Sequence, residues 1–245
     1  GITGTFSGAA PDQGAYEYGG EMWVPGTTWD VTEAFGDNDT PPEIMNSGPV
    51  WYVSNAGSDN NDGSFEDPLL TIQLAYERAN PNDTIIVFPG IYHGENWFYG
   101  KNIVLASLYL LTGDTNYIHN TVIDGDSSNC NLVISGDIDS TSRISGFTIQ
   151  NGIGCVYGQG AGIYIEGSSP RLDNLIIKDN HSSTNGGGVC INMGASPILD
   201  NITIHNNSSG FGGGIYSSIS SPTITNCTIK NNYALSGAGC AFDAS

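Results

Sequence analysis

The chain has 245 residues, with 25 acidic side chains against six basic ones and a formal net charge of −19. That imbalance argues against nucleic acid and anionic membrane surfaces as partners, because their phosphates would be repelled. No run of about 18 apolar residues occurs, so no helical membrane insertion is expected.

The acidity is concentrated at the front. Residues 1–143 hold 20 acidic groups against Arg78, Lys101 and Arg143, a balance of −17; the rest holds five against three, a balance of −2. This reads as a solvated acidic face and linker. Residues 1–20 end in Pro11-Asp12-Gln13-Gly14-Ala15-Tyr16-Glu17. Residues 21–48 mix Pro25, Gly26, Pro41 and Pro42 with acidic groups around Trp23, Trp29 and Phe35, and read as an acidic linker that packs by its aromatics.

Residues 49–83 predict a first strand, an acidic loop and a helix. Val50–Ser54 alternates as a strand does, and Gly57–Pro68 is turn-rich. In that loop Asp59, Asn61, Asp62, Glu66 and Asp67 offer the oxygens that Ca²⁺ prefers, although the EF-hand spacing is absent and a solvent-exposed turn is the competing reading. No other cofactor is required. From about Thr71 to Ala79, Ile72, Ala75, Tyr76 and Ala79 fall on one helical face; Thr71 can cap it, and Asn80-Pro81 stops it. Strands are then predicted at Thr84–Phe88, Asn102–Leu108, Thr121–Ile123, Leu132–Ser135 and Ile144–Ile149.

From Ile144 the sequence repeats. Gly160, Gly186, Gly212 and Gly237 open short apolar strands at spacings of 26, 26 and 25 residues. Phe147-Thr148-Ile149, Leu175-Ile176-Ile177, Ile202-Thr203-Ile204 and Cys227-Thr228-Ile229 recur, as do segments from Pro170, Pro197 and Pro222 to Asn174, Asn201 and Asn226. A fixed period means a solenoid. Alternation in short strands excludes helical repeats. The expectation is therefore an all-β, right-handed parallel β-helix: a three-sheet solenoid of about 26 residues per coil whose strands stack about 4.8 Å apart. The helix near residue 75 would be its N-terminal cap, and residues 84–245 its coils, incomplete at the C-terminus.

The alternation assigns faces. Phe147, Ile149, Leu175, Ile177, Ile202, Ile204, Ile163, Ile165, Val189, Ile191 and Ile215 should point inward. Tyr164, Cys190 and Tyr216 form an outward column, and so do Gln150, Lys178, His205 and Lys230. Asn174, Asn201 and Asn226 mark one corner, where stacked amides form a structural ladder. Five cysteines cannot all pair, and no CxxC or Cys/His metal spacing occurs, so no disulfide framework is expected. Cys227 and Cys240 read as small buried hydrophobes.

The stretches Asn61-Asp62-Gly63-Ser64, Thr71-Ile72-Gln73, Asp83-Thr84-Ile85 and Pro89-Gly90-Ile91-Tyr92 resemble the opening of bacterial secreted right-handed parallel β-helix repeat proteins. The Gly146-Phe147-Thr148-Ile149 and Gly212-Gly213-Gly214-Ile215 segments resemble their body, in the pectate-lyase-like superfamily in the broad sense. The motif at Pro11–Glu17 resembles their closing motif, which implies that 1–20 is the tail of a preceding β-helix or an end-completing segment. The resemblance implies secretion to the cell surface or beyond. The chain opens on neither Met nor a signal peptide, and reads as a window cut from a longer precursor. It implies no single activity, since one fold hosts many.

Two functions follow. The first is a secreted or cell-surface structural or adhesive module. Its partners would be neighbouring domains, polysaccharide or further copies, with residues 1–20 of one copy completing the open coil of the next in a filament or array. The second is a polysaccharide lyase or related enzyme acting on acidic polysaccharide, with Lys178, His205 and Lys230 as the basic groups beside the sugar. Polar filling of a repeat position is the plainer account of that column. Tyr164 and Tyr216 are the sugar-stacking candidates, against ordinary sheet packing. Asp173 and Asp200 align as a hydrolase's facing carboxylates would, at a position next to a turn.

Overall fold

The computed structural model describes residues 49–128 and 130–243; the segments read above as tail (1–20) and linker (21–48) lie outside them. The chain begins its described part with β1 (Val50–Val53) and helix α1 (Ile72–Arg78). Coils of parallel strands follow. The first holds β2 (Thr84–Val87), β3 (Gly90–His93) and β4 (Asn96–Tyr99). The second holds β5 (Val104–Ser107), two short helices α2 (Tyr109–Thr112) and α3 (Asn116–Asn120), then β6 (Thr121–Asp124) and β7 (Leu132–Ser135). The third holds β8 (Arg143–Ser145), β9 (Thr148–Gln150) and β10 (Ile163–Glu166). The fourth holds β11 (Arg171–Lys178) and β12 (Val189–Asn192). The fifth holds β13 (Ile198–His205), β14 (Ser208–Phe211) and β15 (Ile215–Ser218). The sixth holds β16 (Thr223–Thr225), β17 (Thr228–Lys230), β18 (Tyr233–Ser236) and β19 (Cys240–Asp243).

Stacking these coils makes three faces. The first runs β1-β2-β5-β8 and on through the N-terminal halves of β11 and β13 to β16. The second runs β3-β6-β9 and on through the C-terminal halves of β11 and β13 to β17. The third is β4-β7-β10-β12-β15-β19. The eight-residue strands β11 and β13 bridge the first two faces. They bend at Asn174 and Asn201, each with φ of +53°, a left-handed conformation that asparagine tolerates better than most residues. At the glycine corner the coils approach too closely for a side chain. A Cβ on Gly188 would lie 2.6 Å from the carbonyl oxygen of Gly214.

The inward sets are those the alternation predicted, and they form one continuous core from Val53 to Ile215. Cys227 and Ile229 of the sixth coil are partly buried against it. Helix α1 closes the first coil: Ile72, Ala75 and Tyr76 are buried, the Thr71 side chain accepts from the Leu74 amide, and the Tyr76 ring stacks on Phe98 at 4.4 Å. Lys101 completes this cap. Its ammonium donates to the carbonyls of Tyr76, Glu77 and Ala79, the orphan acceptors at the helix C-terminus, and lies over the Tyr76 ring. Burial pushes the Lys101 pKa down, and the charges of Glu77 and Asp83 oppose that. Replacing Lys101 by methionine keeps the packing and removes these bonds. Unfolding in urea is expected to show a loss of about 1–3 kcal/mol.

A second asparagine column lies inside the coils. Asn131 donates to Asn180, Asn180 to Asn207 and Asn207 to Asn232, at 2.9–3.1 Å. Backbone amides of Gly152, Asn180 and Asn207 donate to the same side-chain oxygens. The corner column expected at Asn174, Asn201 and Asn226 is shorter: Asn201 donates to Asn174 at 2.7 Å, whereas Asn226 donates to Asp200.

Candidate functional site

Between β5 and β6 the corner that Asn174, Asn201 and Asn226 each close with a single left-handed residue in the later coils is expanded into α2 and α3. The insertion leans over the second face. The Thr148 hydroxyl donates to the carbonyl of Ile118, and the Tyr109 hydroxyl donates to Asn174. Leu110, Leu111 and Ile118 anchor it by burial. The result is a groove of about 220 Å³ lined by His119, Val122, Thr148, Gln150, Ile176, Lys178 and His205.

The groove thus collects residues that sequence reasoning chose and some that it did not. Gln150, Lys178, His205 and Lys230 form one column in register across β9, β11, β13 and β17. The column continues through Asp124 of β6, opposite Gln150, to His93 of β3. Burial pushes the Asp124 carboxyl up. Hydrogen bonds from the Gln150 side chain, the Asp126 amide and Asn151 outweigh that, so its pKa lies below the usual carboxylate range. Lys178 lies 3.6 Å from Asp179 with about a third of its side chain exposed. The Lys230 side chain makes no hydrogen bond or ion pair among the described residues. His119 enters from α3, a residue that no repeat position announced.

The other basic residues are committed elsewhere. Arg143 grips Asp173 through Nε and Nη2 at 2.7 and 2.9 Å; Arg171 spans Asp173 and Asp200, each at 2.8 Å. Asp173 and Asp200 do stand in register, but Asp173 is 1% exposed and enclosed by these guanidinium groups, Ser145 and Asn174. Arg78 donates to the carbonyls of Asn61 and Asp59, inside the acidic loop. In that loop Asp59 accepts from the amides of Leu70 and Thr71 and from the Thr71 hydroxyl, and Asp62 accepts from the Ser64 amide. Asn61 donates to the Pro68 carbonyl, while Glu66 and Asp67 are exposed. The Asp59 and Asp62 carboxylates thus serve the loop's own turns, and two of its carbonyls serve Arg78.

On the third face Tyr164 and Cys190 of the tyrosine column are closed off from solvent. Tyr164 is 3% exposed and Cys190 is fully buried, in a small cluster with Cys130 and Val133. The loop between β9 and β10 is the roof: Gln159 accepts from Asn192 at 2.9 Å, and the Gly158 carbonyl accepts from Ser182 and Thr184. Tyr216 is half-buried beside this cluster. The cysteine expectation needs correction as well. Cys130 and Cys155 are joined in a disulfide. They belong to coils whose long connections break the repeat, so no sibling position marked them as a pair. Burial pushes the Cys190 thiol up to about 12.

Comparison with known proteins agrees with this architecture. Over 169 residues the chain is 32% identical to YwoF of Bacillus subtilis (strain 168). That match covers 64% of this chain and 34% of YwoF, so the chain spans about a third of that relative's length. The crystal structure of pectate lyase Pel9A superposes with a TM-score of 0.50 at 18% identity, covering 76% of this chain and 49% of that one. The family model for the right-handed β-helix region matches residues 106–245, which take in five of the six coils described above. The chain belongs to the right-handed β-helix family.

Proposed function

We propose that this protein is a secreted or cell-surface β-helix that holds acidic polysaccharide against its second face, in an adhesive role. One observation carries the reading. Of the six Lys and Arg residues, Arg78, Lys101, Arg143 and Arg171 are spent on internal bonds, and the remaining two, Lys178 and Lys230, share one column with His205. Neighbouring members of that column are about 4.8 Å apart, the strand spacing, and each can meet a carboxylate of an extended chain. Val122 and Ile176 give the groove apolar patches for sugar ring faces, and Gln150 offers an amide to hydroxyls. The disulfide supports an oxidising, extracytoplasmic setting.

The lyase reading is favoured by Lys178 lining a groove. Against it, the nearby carboxylates are engaged, Asp124 of the column with Gln150 and Asn151, and Asp179 beside it with Lys178. The wall contributed by α3 is a histidine. One experiment separates the two. A panel of polyuronates and neutral glycans is titrated by calorimetry, and each mixture is followed for unsaturated uronide absorbance. Polyuronate binding is expected to weaken about tenfold with Lys178→Ala and to weaken with added salt, without unsaturated product. Release of unsaturated uronides that Lys178→Ala abolishes would make the protein a lyase. Equal binding of neutral and acidic glycans would remove the proposal.

A further inference from the structure

Coil stacking brings three potential metal ligands together on the third face, away from the groove. Glu95 and Cys130 each precede a hydrogen-bonded asparagine, Asn96 and Asn131, whose backbone bond is 3.0 Å; Asn96 opens β4, and Asn131 stands just before β7, with which β4 pairs directly. Cys155 reaches the same point from the roof loop, and ligand atoms of Glu95, Cys130 and Cys155 all lie within 4.8 Å of one another. Cys130 is 1% exposed.

The contacts around the disulfide are unusual for one. Glu95 Oε1 lies 2.8 Å from Cys130 Sγ, and the Gly160 carbonyl oxygen lies 2.8 Å from Cys155 Sγ. Each sulfur therefore faces an oxygen acceptor. A disulfide sulfur has no proton to give, so in the oxidised form neither contact is a hydrogen bond. The Glu95 carboxylate has no other hydrogen-bond or ion-pair partner among the described residues. Two other states satisfy both oxygens: a dithiol, whose S–H groups donate to them, or a shared cation. Two thiolates and a carboxylate, with a carbonyl oxygen close by, are a donor set for a thiophilic divalent ion of the Zn²⁺ class.

We propose that Glu95, Cys130 and Cys155 form a redox-gated site for such a cation, with the disulfide as its closed, oxidised form. A thiol or phosphine reductant supplies two electrons, breaks the S–S bond and leaves two thiols. The cation then displaces both thiol protons and bonds the two thiolates and the Glu95 carboxylate. Oxidation by a disulfide reagent re-forms the S–S bond, expels the ion and reduces the reagent to two thiolates, which take up two protons from solvent.

The test uses the full chain reduced with a phosphine and titrated with Cd²⁺, read by the thiolate-to-cadmium charge-transfer absorbance. Cys190, Cys227 and Cys240 stay in every variant, so they contribute a constant background. One saturating equivalent is expected for the wild type, absent from the Cys130→Ser, Cys155→Ser double variant. Glu95→Gln, which preserves size at a half-buried position, is expected to weaken the site about tenfold or more while leaving thermal unfolding of the oxidised protein unchanged. The proposal fails if the double variant binds Cd²⁺ as the wild type does. It fails equally if Glu95→Gln leaves the affinity unaltered, or if the disulfide cannot be reduced without unfolding the chain.

Discussion

Asp173→Ala is expected to lower the unfolding free energy by about 3–5 kcal/mol, the range seen when one partner of a buried ion pair is removed. The buried carboxylate receives bonds from Arg143, Arg171, Ser145 and Asn174, so its loss leaves a fully buried Ser145 hydroxyl and the Arg143 guanidinium without their acceptor, and Arg171 with Asp200 alone. Asp173→Asn keeps the shape and is expected to cost less. The pH dependence identifies the cause. Burial pushes this carboxyl up, but the bonds and charge of Arg143, with Ser145 and Arg171, bring its pKa below the ordinary value. A carboxyl with a depressed folded pKa contributes stability that is complete above its unfolded value, near about 4, and is lost as pH falls through the folded value. Wild-type melting temperature should therefore fall as pH is lowered from about 5 towards 3, and the Asp173→Asn variant should lose that part of the slope. A variant with the wild-type slope would show that the pH dependence comes from other carboxylates.

The second large effect is expected at Asn207. Its amide donates to the Ile177 carbonyl and to Asn232, and its oxygen accepts from both the backbone and the side chain of Asn180. Asn207→Leu fills the volume but strands several buried polar groups, at about 1–3 kcal/mol each. A total loss of at least about 3 kcal/mol is expected in urea unfolding. Asn201→Ala at the exposed corner is the contrast. It loses one bond to Asn174 and places alanine at a left-handed φ, together about 1–2 kcal/mol. If the two variants were equally destabilised, the interior column would have no special weight.

These two columns show what the sequence could and could not reveal. The inward apolar set was legible because a parallel coil repeats its register: Leu175, Ile202 and Cys227 share a column, and period-two alternation decides which side is buried. The interior amides were not. In Asp179-Asn180, Asn206-Asn207 and Asn231-Asn232 the first residue takes a left-handed turn and the second points into the core, yet both read as turn residues. Helices α2 and α3 span four and five residues, too short to show a helical period, so His119 carried no signal. Lys178 and His205 could be chosen because they belong to the repeat, whereas the burial of Tyr164 depends on a roof loop that belongs to one coil alone. Regular coils announce their columns, and single insertions do not.

The expanded corner at 108–120 has an architectural consequence. The strands on either side of it keep their register, β2-β5-β8 on one face and β3-β6-β9 on the next, as though the insertion were absent. The scaffold therefore tolerates exchange at that point. A graft there can reshape the rim of the groove without a compensating change in the ladder beneath, because a single left-handed residue closes the same corner in the coils that follow, Gly146 in the third and Asn174, Asn201 and Asn226 in the others. On the proposed binding role, selectivity and structural integrity are then encoded in separate stretches of chain, and swapping a dozen or so residues at one edge is expected to change what the groove holds.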